Sequence, residues 1–163
     1  MAIEISEAND RISDFLTKHN VGVLATSDAF GKTHAATVYV SFDSELNFYF
    51  VTKKETQKSR NLQVNPHAAI AIFDADTQAT VQVQGIVKQI VDERAMERVF
   101  TDIWSAALRT SQSHVPPTSR LIAGDYIVYM LSSTSVRMAT FSKPDPADYD
   151  NIFETVNTQP SFN

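Results

Sequence analysis

"LNFYFVTKKETQKSRNLQVNPHAAIAIFD", residues 46–74, decides how the rest of the chain is read. LNFYFVT (46–52) is an aromatic and apolar run that reads as a strand. Lys53, Lys54, Lys58 and Arg60 follow within eight positions, with Thr56 and Ser59 among them. The chain has 14 Lys+Arg and a net charge of −5, so this is a local concentration of cations in an acidic protein. Pro66 forces Asn65 to be extended, so the basic stretch has room for a short helix only. HAAIAIFDA (67–75) is mostly apolar and reads as a central strand. A helix that starts just after a strand presents unpaired N–H groups and the positive end of its dipole. With the hydroxyls of Thr52 and Thr56, and Lys58 one turn on, such a terminus makes a phosphate cradle. The same residues also fit an ordinary solvated helix face with Thr52 or Thr56 as its cap. Arg60 lies two residues further round the helix and is expected to point away from Lys58.

Outward from this stretch, Ile5, Ala8, Ile12, Phe15 and Leu16 predict an amphipathic helix over 5–19, with Ser6 as a cap. Strands are expected at 21–27 and 34–43, joined by a turn in which Gly31 takes positive φ. Asp43-Ser44-Glu45 is short enough for a hairpin into 46–52. ATVQVQGIVKQIV (79–91) alternates until a phase slip at Gly85, which predicts a bulge. A long helix is expected from about Asp92, its N-cap, to Leu108, with Met96, Val99, Phe100, Ile103 and Ala107 as the apolar stripe. Trp104 lies beside that stripe and is read as an interface aromatic. DYIVYML and VRMATFS are read as two strands joined near Ser132-Ser133-Thr134. In the acidic tail, Tyr149, Ile152, Phe153 and Val156 fall on one helical face. The expected organisation is one domain over 1–143 and a tail over 144–163 that docks as a short helix.

This order predicts a mainly β fold with flanking helices, a six- to seven-stranded antiparallel sheet closed into a small barrel. The composition excludes several functions. There are no cysteines, so disulfides, thiolate metal sites and Cys nucleophiles are out. No apolar run approaches the roughly 20 residues that cross a bilayer, and MAIEISEANDRISDF is unlike a signal peptide. A cytoplasmic protein with no membrane partner is therefore expected. The acidic balance argues against nucleic acid. His19, His34, His67 and His114 show no metal-ligand spacing, so no metal site is expected. With four glycines there is no Gly-rich phosphate loop, and no Ser stands in a nucleophile elbow. No catalytic residue can be assigned, so any reactivity must come from a cofactor.

Residues 19–91 resemble the FMN-binding split-barrel superfamily, that of pyridoxamine 5'-phosphate oxidase and its general-stress-protein-like branch. "VGVLATSDAFGKTHAATVYV" is similar to its first hairpin. The opening stretch is similar to its third strand, phosphate-binding turn and helix, and Asn-Pro before a buried strand. "ATVQVQGIVKQI" is similar to its long strand with a central glycine. The resemblance implies FMN as cofactor. Val51 and Thr52 match the strand end that meets the flavin phosphate and ribityl chain. Thr56, Gln57 and Lys58 match the stretch that grips the phosphate. Thr37, Val38 and Tyr39 match the strand whose backbone faces the flavin ring. Thr80 falls where the neighbouring subunit adds a polar contact. The family forms homodimers with two sites at the interface, to which Trp104 and Arg137 would contribute from the partner.

The chain also departs from the pyridoxamine-oxidising members. The second strand, Ala35 to Ser41, lacks their Arg and Lys, and Gln57 stands where a second phosphate-binding Arg is usual. Their C-terminal substrate signature has no counterpart in VRMATFSKPD. An FMN-dependent oxidoreductase acting on another, unknown small molecule is therefore expected. The alternatives are a flavin-binding stress protein without turnover, or a relative that binds haem or a deazaflavin. For haem, His114 is the one loosely placed axial candidate.

Overall fold

The computed structural model describes residues 2–110, 125–141 and 153–158. Helix α1 (Ala2–Lys18) is followed by strands β1 (Val21–Ser27), β2 (Thr33–Phe42) and β3 (Phe48–Lys53), then α2 (Gln57–Val64). Next come β4 (His67–Asp74), β5 (Ala79–Ile90), α3 (Glu93–Thr110), β6 (Tyr126–Thr140) and β7 (Phe153–Asn157). All strand pairings are antiparallel, in the order β3-β2-β1-β4-β5-β6-β7. β3 also pairs with β6, so six strands close into a barrel and β7 adds to its outer edge at β6. This is the split-barrel architecture expected.

Alternation places one face of each strand inside. Leu24, Val38, Val40, Phe48, Phe50, Ile70, Ile72, Val81, Val83, Leu131 and Val136 fill the barrel, and α1 adds Ala8, Ile12, Phe15 and Leu16 to the same core. A second cluster lies outside the barrel wall. There α3 lays Val99 and Ile103 over Val51 and Val128, with Tyr39, Tyr49, Phe100 and Tyr126 around them. Asp92 caps α3 as expected, its Oδ1 accepting the N–H of Ala95 at 2.8 Å. Gly31 takes φ +82° in the β1–β2 turn.

Four expectations are corrected. Residues 126–140 form one continuous strand, β6, not two. The slip at Gly85 is real, but the extra residue is Thr134 on β6: Gln84 pairs with Ser135 and Gly85 with Ser133. A Cβ at Gly85 would stand 2.2 Å from the Ser132 carbonyl oxygen, so only glycine lets β6 pass this close. In the tail, 153–157 is strand rather than helix, because β6 offers it a free edge. Tyr149 and Ile152 lie outside the described residues. α1 begins at Ala2, so residue 6 sits inside it and is not its cap.

Candidate anion-binding site at the start of the short helix

The helix α2 starts where Thr56, extended at φ −74° and ψ 153°, turns the chain out of β3. Its Oγ1 accepts the N–H of Ser59 at 3.3 Å and donates to the carbonyl of Lys53 at 3.0 Å. The first helical bond runs from the N–H of Arg60 to the Thr56 carbonyl. At the other end Asn65 is extended, as a residue before proline must be. The N–H groups of Gln57 and Lys58 have no bonded partner among the described residues. They point along the helix axis, where the dipole is positive.

Lys58 is the second residue of α2, so its Cα–Cβ bond tilts back towards this terminus. It is half-buried, and that burial lowers its pKa below the ordinary lysine value. No carboxylate pairs with it among the described residues. Two free N–H groups and a partly desolvated cation without a counter-ion together form a site that favours an anion. Thr52, buried at the end of β3, brings its Oγ1 to 3.0 Å from that of Thr56. The Thr56 hydroxyl proton already goes to Lys53, so the hydrogen of this contact comes from Thr52.

Only one apolar residue of α2, Leu62, is buried. Polar bonds do the rest of the holding. Ser59 Oγ meets the Tyr129 hydroxyl of β6 at 3.1 Å, both groups buried. Asn61 Nδ2 donates to Thr26 Oγ1 of β1 at 3.0 Å, and Asn65 Nδ2 to Ser27 Oγ at 2.8 Å. Gln57 Nε2 donates to Asn61 Oδ1 at 2.8 Å. Sequence reasoning missed Ser59, Asn61, Thr26 and Tyr129. The available signal was that a helix docking with a single leucine needs polar partners on the same side.

Thr52, Thr56, Gln57 and Lys58 are thus brought together. The three residues expected on β2 lie differently. Thr37 is exposed, Val38 points into the barrel core, and Tyr39 packs in the cluster under α3. Pairing between β2 and β3 covers only Val40–Phe50, Ser41–Tyr49 and Phe42–Phe48. Beyond it the strands part, and β2 from Thr33 to Tyr39 pairs with β1 alone. α2 packs beside that opening, against β1 and β2. The Val51 side chain is covered by α3. Thr80 stands apart on β5, its Oγ1 donating to the Ile72 carbonyl at 3.1 Å. With β4 and β1 between it and β2, three steps of about 4.8 Å separate the two strands. Trp104 is half-buried and stacks on Phe100, with centroids 6.2 Å apart. Phe100 stacks on Tyr126, which pairs with Lys53 across the strands. Among the described residues, no cluster of three His, Asp or Glu side chains forms a metal site. His114 lies outside them.

A family model described as pyridoxamine 5'-phosphate oxidase matches residues 8–127. The pyridoxine/pyridoxamine 5'-phosphate oxidase of Paraburkholderia phymatum is 31% identical over 80 residues, which cover 49% of this chain and 38% of that protein. The match thus spans well under half of that relative's length. Among solved structures, a pyridoxamine 5'-phosphate oxidase-related, FMN-binding protein from Nostoc punctiforme superposes with a TM-score of 0.61 at 14% identity, covering 93% of this chain and 96% of that one. A haem-binding protein from Mycobacterium smegmatis gives 0.67 at 20% identity, covering 94% of this chain and 57% of that one.

Proposed function

Since the chain belongs to the pyridoxamine 5'-phosphate oxidase family, we propose that it binds FMN with the phosphate on the N-terminus of α2 and serves as an oxidoreductase. The observation that carries this reading is the first turn of α2, where Lys58, a half-buried cation with no carboxylate partner among the described residues, accompanies two free helix N–H groups. A phosphate dianion supplies the missing counter-charge. Thr52 Oγ1 is close enough to Thr56 to turn towards the same phosphate, while Thr56 keeps the helix capped. The backbone of Thr37, Val38 and Tyr39, unpaired on the β3 side, supplies N–H and C=O groups to a flat polar ring. Bound FMN supplies hydride and electron transfer; the chain binds it, orients it and shields one side from water.

The outer wall supports self-association. Val23 pairs with Ala71 and Ala25 with Ala69 across β1 and β4, Phe73 lies two residues further along β4, and Val23 and Phe73 are 45% and 58% exposed. A homodimer joined through this wall covers it and lets Thr80 of one copy reach the flavin of the other. On the same reading Trp104 of one copy adds to the site of the other. A cytoplasmic setting accords with these roles.

Pyridoxamine 5'-phosphate is a poor fit as substrate. It carries its own phosphate, and β2 from Thr33 to Phe42 offers no Lys or Arg to meet a second dianion. Burying such a group without a partner costs several kcal/mol.

The absorption spectrum of the purified protein tests the cofactor. A flavin band pair is expected. A Soret band instead would place the chain with haem-binding relatives. Anaerobic bleaching by NADH or NADPH then separates an oxidoreductase from a flavin carrier without turnover.

A further inference from the structure

Arg60 does not point away from Lys58's end of the helix. Its guanidinium folds back by one turn. Nη1 donates to the Glu55 carbonyl at 2.6 Å and Nη2 to Gln57 Oε1 at 2.9 Å. Those two contacts straddle Thr56, the cap, so the charge sits at the N-terminus of α2 rather than beside its middle. A guanidinium has five N–H donors, and two are used here. The other three remain for a ligand.

The side chain of Gln57 explains why Arg60 stays there. Asn61, almost wholly buried, gives Nδ2 to Thr26, which leaves its Oδ1 to accept from Gln57 Nε2. That fixes the Gln57 amide with Oε1 outward, where it accepts from Arg60. A line of three hydrogen bonds therefore runs from β1 to the guanidinium. To turn its own amide towards a phosphate, Gln57 would have to give up two of them.

We propose that Arg60 is a second cation for the phosphate bound at α2, and that Gln57 is its positioning residue rather than a phosphate ligand. This rests on the reading of α2 as a phosphate site. Arginine suits the task because its planar fork meets two phosphate oxygens at once.

Titrating FMN and riboflavin against the same protein, by quenching of flavin fluorescence, isolates the phosphate's share of affinity. Wild type should bind FMN more tightly than riboflavin. Arg60→Ala should weaken FMN binding by about tenfold, the class of one charge-assisted hydrogen bond, and leave riboflavin unchanged. Gln57→Ala should lose part of the same preference. The double variant Gln57→Arg/Arg60→Ala should recover FMN affinity to within about threefold of wild type, which a merely structural role for Gln57 does not explain. Arg60→Gln, which keeps the bulk and a donor, guards against a folding effect, checked by a thermal melt. If both Arg60 variants keep the wild-type FMN-to-riboflavin ratio while Lys58→Ala abolishes it, the phosphate site stands and the proposal for Arg60 is overturned. If wild type itself does not distinguish FMN from riboflavin, both fall.

Discussion

The two helices on the barrel wall are held in opposite ways. α3 has 18 residues and buries Val99, Ile103, Ala106 and Ala107. Its contacts are apolar, non-directional and spread along its length. α2 has eight residues and buries one leucine. It is tied through Ser59, Asn61 and Asn65 to two strands: Tyr129 on β6, and Thr26 and Ser27 on β1. Apolar packing decides whether a helix docks. Directional hydrogen bonds decide at what angle and depth. The helix whose N-terminus is proposed to take the phosphate is the one held by direction.

The contrast can be broken from the α3 side with the largest effect. Ile103→Ala should cost about 2–5 kcal/mol of stability, read as a lower denaturant midpoint. Per bound flavin, the affinity of the folded fraction should change little. A flavin affinity lost in proportion to stability would show the two helices to be coupled.

Lys58→Ala should cost one to two decades of FMN affinity, about 1.5–3 kcal/mol, with no loss of stability. The sign with pH follows from its lowered pKa. Between that pKa and the unfolded value of 10.5, the unfolded chain holds more protons, so this group's contribution to stability improves as pH rises. FMN affinity moves the other way over the same window, because the ammonium is lost. Titrations from pH 7 upward should show a decline that Lys58→Arg, which stays charged, flattens. Equal declines in the two proteins would remove Lys58 from the site.

Asn61→Ala should come next. It leaves Thr26 and Gln57 without their partner, a loss of about 1–3 kcal/mol, and it should loosen FMN binding as well as the fold. Ser59→Ala should be mildest, about 1 kcal/mol, because Tyr129 keeps its stack on Phe50 at 5.4 Å. A stability loss without any change in flavin affinity, in both variants, would mean that the angle of α2 does not matter to its ligand.

Most of the barrel was legible because its strands alternate or run apolar between clear turns. The two failures share a cause. Ser132-Ser133-Thr134 has the composition of a turn, yet the strand continues, since Gly85 opposite has no side chain to block it and Thr134 absorbs the extra length. The tail's apolar spacing fits a helical face, but β6 continuing past its bulge offers an unpaired edge, and backbone pairing prevailed. Both depend on what lies across the sheet, which no local pattern contains. At the strand-to-helix turn, Thr56 was readable as a cap. The fold-back of Arg60 was not, because it depends on a buried asparagine anchored 35 residues away on Thr26.

The lone tryptophan gives the molecule a built-in optical probe. Trp104 rides on α3, and its ring continues the stack of Phe100 and Tyr126 down to the strand pair that holds Lys53. Its emission in the free protein therefore reports the packing of α3 and should ignore substitutions confined to α2. A yellow chromophore seated at α2 absorbs where indole emits, so binding should dim the tryptophan by energy transfer without shifting its colour. The same cuvette then distinguishes a displaced cover from an occupied site: a red shift marks the first and a loss of intensity alone marks the second.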